Sequence, residues 1–179
     1  MKKLIVLALS LMAIAVQAQE INWITMDEAL AAQKKNPKKI VVDVYADWCG
    51  PCKMMDRNTF TNKDVIQYIN KNFYAVKFDA EGTEEVNYQG KQFTNPGYRA
   101  GKRGRNSTHQ FTRALQVRGY PSMVYFDEKG ALIQAVPGYQ APQQLELYLK
   151  MIATDDYKEI TSAESWQNYQ KSFEGTFRK

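Results

Sequence analysis

Cysteine and histidine are the scarce residues here: two of the first and one of the second in a chain of 179 residues. So few cysteines exclude a disulfide-stapled scaffold, which needs several pairs. A zinc site on Cys49 and Cys52 would need two more soft or imidazole ligands, and the one histidine, His109, stands far along the chain in a loop. Long apolar runs are equally sparse. Residues 4–16 form a run of about 13, where a bilayer span needs about 20. Charge of one sign is not in great excess either, with 24 basic and 19 acidic side chains, so the balance points to no particular partner. Internal repeats and low-complexity segments are missing. What remains, 44% hydrophobic and 12% aromatic, is the composition of one compact domain with a real core.

The N-terminus has its own pattern. Lys2 and Lys3 precede the apolar run, and Val16-Gln17-Ala18 offers small residues where a signal peptidase cuts. Residues 1–18 therefore read as a cleaved signal peptide. No cysteine stands just after the apolar run to carry a lipid anchor. Export to the periplasm or another extracytoplasmic space is expected, and there a thiol pair tends to be oxidised unless something reduces it.

Along the chain, Thr25-Met26-Asp27-Glu28 is a capping-box pattern opening a helix to about residue 35, which Asn36-Pro37 ends. Residues 40–46 (IVVDVYA) read as a strand buried on both faces, interrupted by one charge, Asp43. A helix starts at Gly50-Pro51, a second helical stretch covers 63–72, and 73–79 (FYAVKFD) is another strand. Residues 81–108 are rich in glycine and lack apolar periodicity, which predicts a long loop. Helix resumes over 110–116, a hairpin spans 122–127 and 132–136, and Pro142 opens a helix to about 153. The tail carries a capping-box pattern at Thr161-Ser162-Ala163-Glu164, then Trp166, Tyr169 and Phe173 on one helical face. This order predicts a parallel strand pair extended by an antiparallel hairpin, with helices on both faces.

Cys49 and Cys52 are two residues apart at a predicted helix start. There the peptide N–H groups and the helix dipole favour anions, so Cys49 is the candidate thiolate nucleophile. Cys52 lies one turn on, on the same side, where it can attack a mixed disulfide on Cys49. The spacing favours exchange chemistry over the alternatives. Haem attachment wants histidine where Lys53 stands, and a structural clip over so short a loop removes little unfolded-state entropy.

Trp48-Cys49-Gly50-Pro51-Cys52 after a strand carrying Asp43, with Gly119-Tyr120-Pro121-Ser122 before a later strand and Gly138 beyond it, resembles the thioredoxin family. The stretch from Val44 to Cys49, then Cys52-Lys53, Thr59-Phe60 and Asp64-Val65, is similar to the C-terminal domain of DsbD-type transmembrane disulfide-interchange reductases and to their secreted relatives. The resemblance implies an α/β thioredoxin fold over residues 20–153, with an insertion at 81–108 and a helical C-terminal extension at 154–179. It implies that Asp43 handles the proton of Cys52, that Lys77 pairs with Asp43, and that Pro121 is cis and pairs with an extended substrate. Trp48, Gly50, Pro51 and Tyr120 would border the substrate. Tyr120 departs from the smaller aliphatic residue usual before that proline. Arg57 stands where ordinary thioredoxins have a helix-kinking proline.

The expected activity is reduction of protein disulfides by a monomer, with Cys49 exposed and Cys52 buried. It needs no metal or added cofactor and takes electrons from a membrane donor of the DsbD type. The alternatives are a disulfide oxidase or isomerase, or a partner-binding module in which the cysteines matter little. The insertion is expected near the active site, where it could gate or select partners. Its basic run at 97–105 (GYRAGKRGR) reads as a solvated loop rather than a nucleic-acid site. His109 is expected to cap or pack, and the tail helix to dock on the domain.

Overall fold

The computed structural model describes residues 20–178; the expected signal peptide lies outside them. Strand β1 (Trp23–Ile24) is followed by helix α1 (Met26–Lys35), β2 (Lys39–Tyr45), α2 (Gly50–Asn58), α3 (Lys63–Asn72) and β3 (Phe73–Asp79). The insertion holds β4 (Val86–Tyr88) and β5 (Lys91–Phe93). Then come α4 (Gln110–Ala114), β6 (Ser122–Phe126), β7 (Leu132–Pro137), α5 (Pro142–Ala153), a 3-10 turn and α6 (Ala163–Ser172). No helix among these residues is long and apolar enough to cross a membrane.

Five strands make one mixed sheet in the order β1-β3-β2-β6-β7, with β2 central, parallel to β3 and antiparallel to β6. Its near-continuous apolar sequence follows from that place: both faces of β2 are covered. Because successive side chains alternate across a strand, Val41 enters one core with Ile69, Leu145 and Met55, while Ile40, Val42 and Val44 enter the other with Phe78 and Phe111. Asp43 has the parity of Val41. It faces the core that α2, α3 and α5 cover.

Local signals set the helix starts. Thr25 caps α1, accepting from Glu28 N–H at 3.2 Å while Glu28 Oε2 accepts from Thr25 N–H at 2.8 Å. Asn62 caps α3, accepting from Asp64 and Val65. At α6 the reciprocal pair is Ser162 and Ser165 rather than Thr161 and Glu164, one residue later than the sequence pattern predicts.

The segment expected as a loop is partly regular. β4 and β5 form a hairpin whose two turn residues, Gln89 and Gly90, both have positive φ, 50° and 75°. Val86, Tyr88 and Phe93 are buried in the Phe111 core, and Asp27 of α1 accepts from Asn87 N–H at 2.8 Å. The insertion is thus docked on the domain by its own hydrophobic face.

The tail is docked as well. Trp166 and Tyr169 stack at 6.3 Å between ring centroids and, with Phe177, pack against the α3–α5 core. The buried carboxylate of Glu146 accepts from Thr176 Oγ1 and Phe177 N–H, each at 2.9 Å, and Arg178 Nε donates to Asp64 Oδ2 at 3.0 Å.

Candidate active site

Cys49 and Cys52 are joined as a disulfide with Cα atoms 5.3 Å apart. Cys49 is the N-cap of α2, its Sγ accepting from Cys52 N–H at 3.1 Å, and Pro51 sits in the first turn, where no N–H is needed. A negative charge left on Cys49 Sγ by reduction would therefore meet a ready donor and the positive end of the helix. Gly50 is exposed at the start of that helix.

The expectation that Cys49 is exposed is not met: it is 2% exposed and Cys52 3%. Ala46 is buried with the pair, and Tyr45 and Tyr120 pack against it. Ala46 and Tyr45 stand just before the motif, but Tyr120 comes from a segment distant in sequence, and its place over the pair was not readable from the motif. Trp48, 36% exposed, lies edge-on to Tyr120 with centroids 6.0 Å apart. The Tyr120-Pro121 bond is cis, and Pro121 O accepts from Gly138 N–H at 2.8 Å. Gly138 has φ 99°, a conformation that glycine adopts without strain.

Beneath α2, the β2–β3 register sets Asp43 directly beside Lys77. Lys77 Nζ donates to Asp43 Oδ2 at 2.9 Å and also, closely, to Asp56 of α2. Three rings surround the ammonium, Trp23, Tyr45 and Phe60, at 5.0 to 5.2 Å. Asp43 Oδ1 is buried with no hydrogen-bond partner among the described residues. Burial pushes the Asp43 carboxyl up to about 6, against the pull of Lys77. Burial lowers Lys77, but Asp43 and Asp56 outweigh it and hold the ammonium above its ordinary value. Asp56 is one helical turn beyond Cys52 on the same face of α2, so the bridge ties Asp43 to the face that carries Cys52.

Sequence reasoning missed Asp56, although its spacing of four from Cys52 is a readable signal. It also missed Glu81 and Arg105. Glu81 Oε2 accepts from Trp48 Nε1 at 2.9 Å, and the Arg105 guanidinium lies over the Trp48 ring at 4.5 Å. The insertion therefore does reach the active site, through the residue before Cys49. His109 caps α4, Nδ1 accepting from Phe111 N–H at 3.0 Å, and lies edge-on to Phe78.

Among the described residues no cluster of His, Cys, Asp and Glu could hold a metal ion. The electrons of disulfide exchange reside in the cysteine sulfurs themselves, and thioredoxin-fold oxidoreductases need no added cofactor.

Comparison with known proteins agrees with this geometry. The family model of a thioredoxin-like domain matches residues 26–153. The thiol:disulfide interchange protein DsbD of Pectobacterium atrosepticum is 26% identical over 131 residues, 72% of this chain and 18% of that protein. The DsbD of Klebsiella pneumoniae is 45% identical over 107 residues, 59% of this chain and 14% of that protein. The chain thus spans less than a fifth of the length of these relatives. A thioredoxin from Thermus thermophilus, 14% identical, superposes with a TM-score of 0.57 over 76% of this chain and 89% of its own, which shows the thioredoxin fold. With its Cys49–Cys52 pair at the head of α2, the chain belongs to the thioredoxin-like family of thiol-disulfide oxidoreductases.

Proposed function

We propose that this protein is an exported reductant of protein disulfides, working in the periplasm as a monomer. The observation that carries the reading is the cysteine pair at the N-terminus of α2, a helix that Asp56 and Lys77 link to the buried carboxylate of Asp43, whose Oδ1 has no partner among the described residues. In the reduced protein the Cys49 thiolate attacks one sulfur of a substrate disulfide. That S–S bond breaks, a mixed disulfide forms, and the other substrate sulfur leaves as a thiolate.

Cys52 then gives its proton to Asp43 and attacks the Cys49 sulfur. The second substrate sulfur leaves, two electrons have passed to the substrate, and the Cys49–Cys52 disulfide remains. Asp43 Oδ1, without a partner among the described residues, supports its role as proton acceptor. Lys77 would hold that carboxylate in place. Trp48, Gly50, Pro51, Tyr120 and Pro121 would border the substrate segment, which could pair with the backbone beside Pro121.

Gly-Pro between the cysteines favours the reducing direction, and a reductant outside the cytoplasm needs electrons. A membrane donor of the DsbD type is the proposed source. The test is insulin reduction by the wild type and by Cys49→Ala, with the cellular redox state read in the presence and absence of such a donor. Equal activity in both proteins removes the enzyme reading. A cysteine pair fully oxidised with and without the donor removes the reducing direction.

A further inference from the structure

The basic run in the insertion is not a loose tail. Asn106 Oδ1 accepts from the backbone N–H groups of Arg99 and Ser107, each at 2.9 Å, and Asn106 Nδ2 donates back to Arg99 O at 2.9 Å. Asn95 Nδ2 fastens the base of the loop, donating to Gly82 O at 3.0 Å and Ser107 O at 2.8 Å. These bonds use Arg99 only through its backbone, so its side chain is left for other contacts.

The clasp holds out a cationic surface. Residues 97–105 carry Arg99, Lys102, Arg103 and Arg105 and no acid. All four are exposed, and among the described residues none forms a salt bridge. Arg105 lies on Trp48, the neighbour of Cys49, and Arg103 is within about 7 Å of it along the chain. Three acids near the motif, Asp47, Asp79 and Glu81, leave the loop's four cations in excess and form no ion pair with them among the described residues. Glu81 is engaged by Trp48 and by Asn106 N–H, and Asp47 is exposed beside the motif without an ion pair among the described residues.

We propose that the 97–105 loop is a docking surface for partner proteins that carry acidic residues beside the cysteines they exchange with Cys49. The proposal rests on the exchange reaction above and names the class of partner for it. Opposite charge next to the reacting sulfurs raises the encounter rate and orients the pair, and salt weakens the effect. Four cations with one exposed ring, Tyr98, beside a redox disulfide fit a protein surface better than a nucleic-acid strand, which needs a longer basic track with stacking platforms.

The test uses two disulfide-cyclised peptides that differ only in flanking Glu or flanking Lys, together with a small neutral disulfide. Reduced wild type should reduce the Glu peptide about tenfold faster than the Lys peptide at low salt, and about 0.5 M NaCl should close the gap. The R99E/K102E/R103E variant should lose or reverse the preference while reducing the neutral disulfide as fast as wild type. Equal rates for the two peptides in wild type, or a preference that survives in the variant, overturns the proposal. So does displacement of the Glu peptide by an equal concentration of a single-stranded DNA oligonucleotide.

If the neutral disulfide is not reduced, the exchange reading itself is lost. Docking is then read from fluorescence anisotropy of the labelled peptides against the oxidised proteins. Wild type should bind the Glu peptide more tightly than the variant does, and equal binding overturns the docking surface.

Discussion

Lys77 Nζ donates to Asp43 Oδ2 at 2.9 Å while Asp43 Oδ1 stays buried without a partner among the described residues. One oxygen is neutralised and the other is left to take a proton. Because burial raises this carboxyl from 3.8 to about 6, its contribution to stability is fully present below pH 3.8 and is lost as pH rises through about 6. Asn mimics the protonated form. Oxidised Asp43→Asn should therefore be more stable than wild type at pH 8, by about 2 kcal/mol, and no more stable at pH 3.5. Chemical denaturation at both values checks this. The same variant should slow insulin reduction at pH 7 by about a hundredfold if Asp43 is the base for Cys52.

Asp56 competes with Asp43 for the same ammonium, and its charge also disfavours ionisation of Asp43. Asp56→Asn should move the acidic inflection of the reaction's pH profile to lower pH. A purely structural Asp56 would change stability and leave the inflection in place.

Glu81 joins Trp48 to the insertion. Glu81→Ala leaves the Trp48 indole N–H and the Asn106 N–H without their shared acceptor. The loss should be about 2 kcal/mol in stability, with faster amide exchange over residues 95–108 than over α3. Glu81→Gln keeps one acceptor and should recover most of the protection.

The tail predicts a similar dependence at the far side of α5. Ending the chain after residue 174 removes the Thr176 and Phe177 donors and leaves the buried Glu146 carboxylate with Lys150 as its remaining partner. A loss of about 2 to 4 kcal/mol is expected. Adding Glu146→Leu to the truncated chain should restore part of it, since the buried charge is then gone.

Much of this molecule can be read from local chemistry. Asn36-Pro37 ends α1, Asn62 begins α3, and the bounds of β3 follow from FYAVKFD, because caps and buried strands write themselves into adjacent residues. The β4–β5 hairpin was hidden. Its strands have three residues each, too short for a period to register, and Gln89 is not the Asn or Asp that announces such a turn. β1 has only two residues. The pairing of Asp43 with Lys77 depends on strand register, which no local pattern encodes; only the family resemblance pointed to it. The part of the cover over Cys49 that Tyr120 supplies is likewise a tertiary fact, brought in by the segment before β6, the neighbour of β2.

A single histidine has a practical consequence. His109 is buried where α4 leaves the insertion, between the hairpin core and the loop that reaches Trp48, and burial keeps its imidazole below the ordinary value. Its ring protons give one uncrowded magnetic-resonance signal. That signal can report, without any label, when a passing partner pulls the insertion away from the sheet.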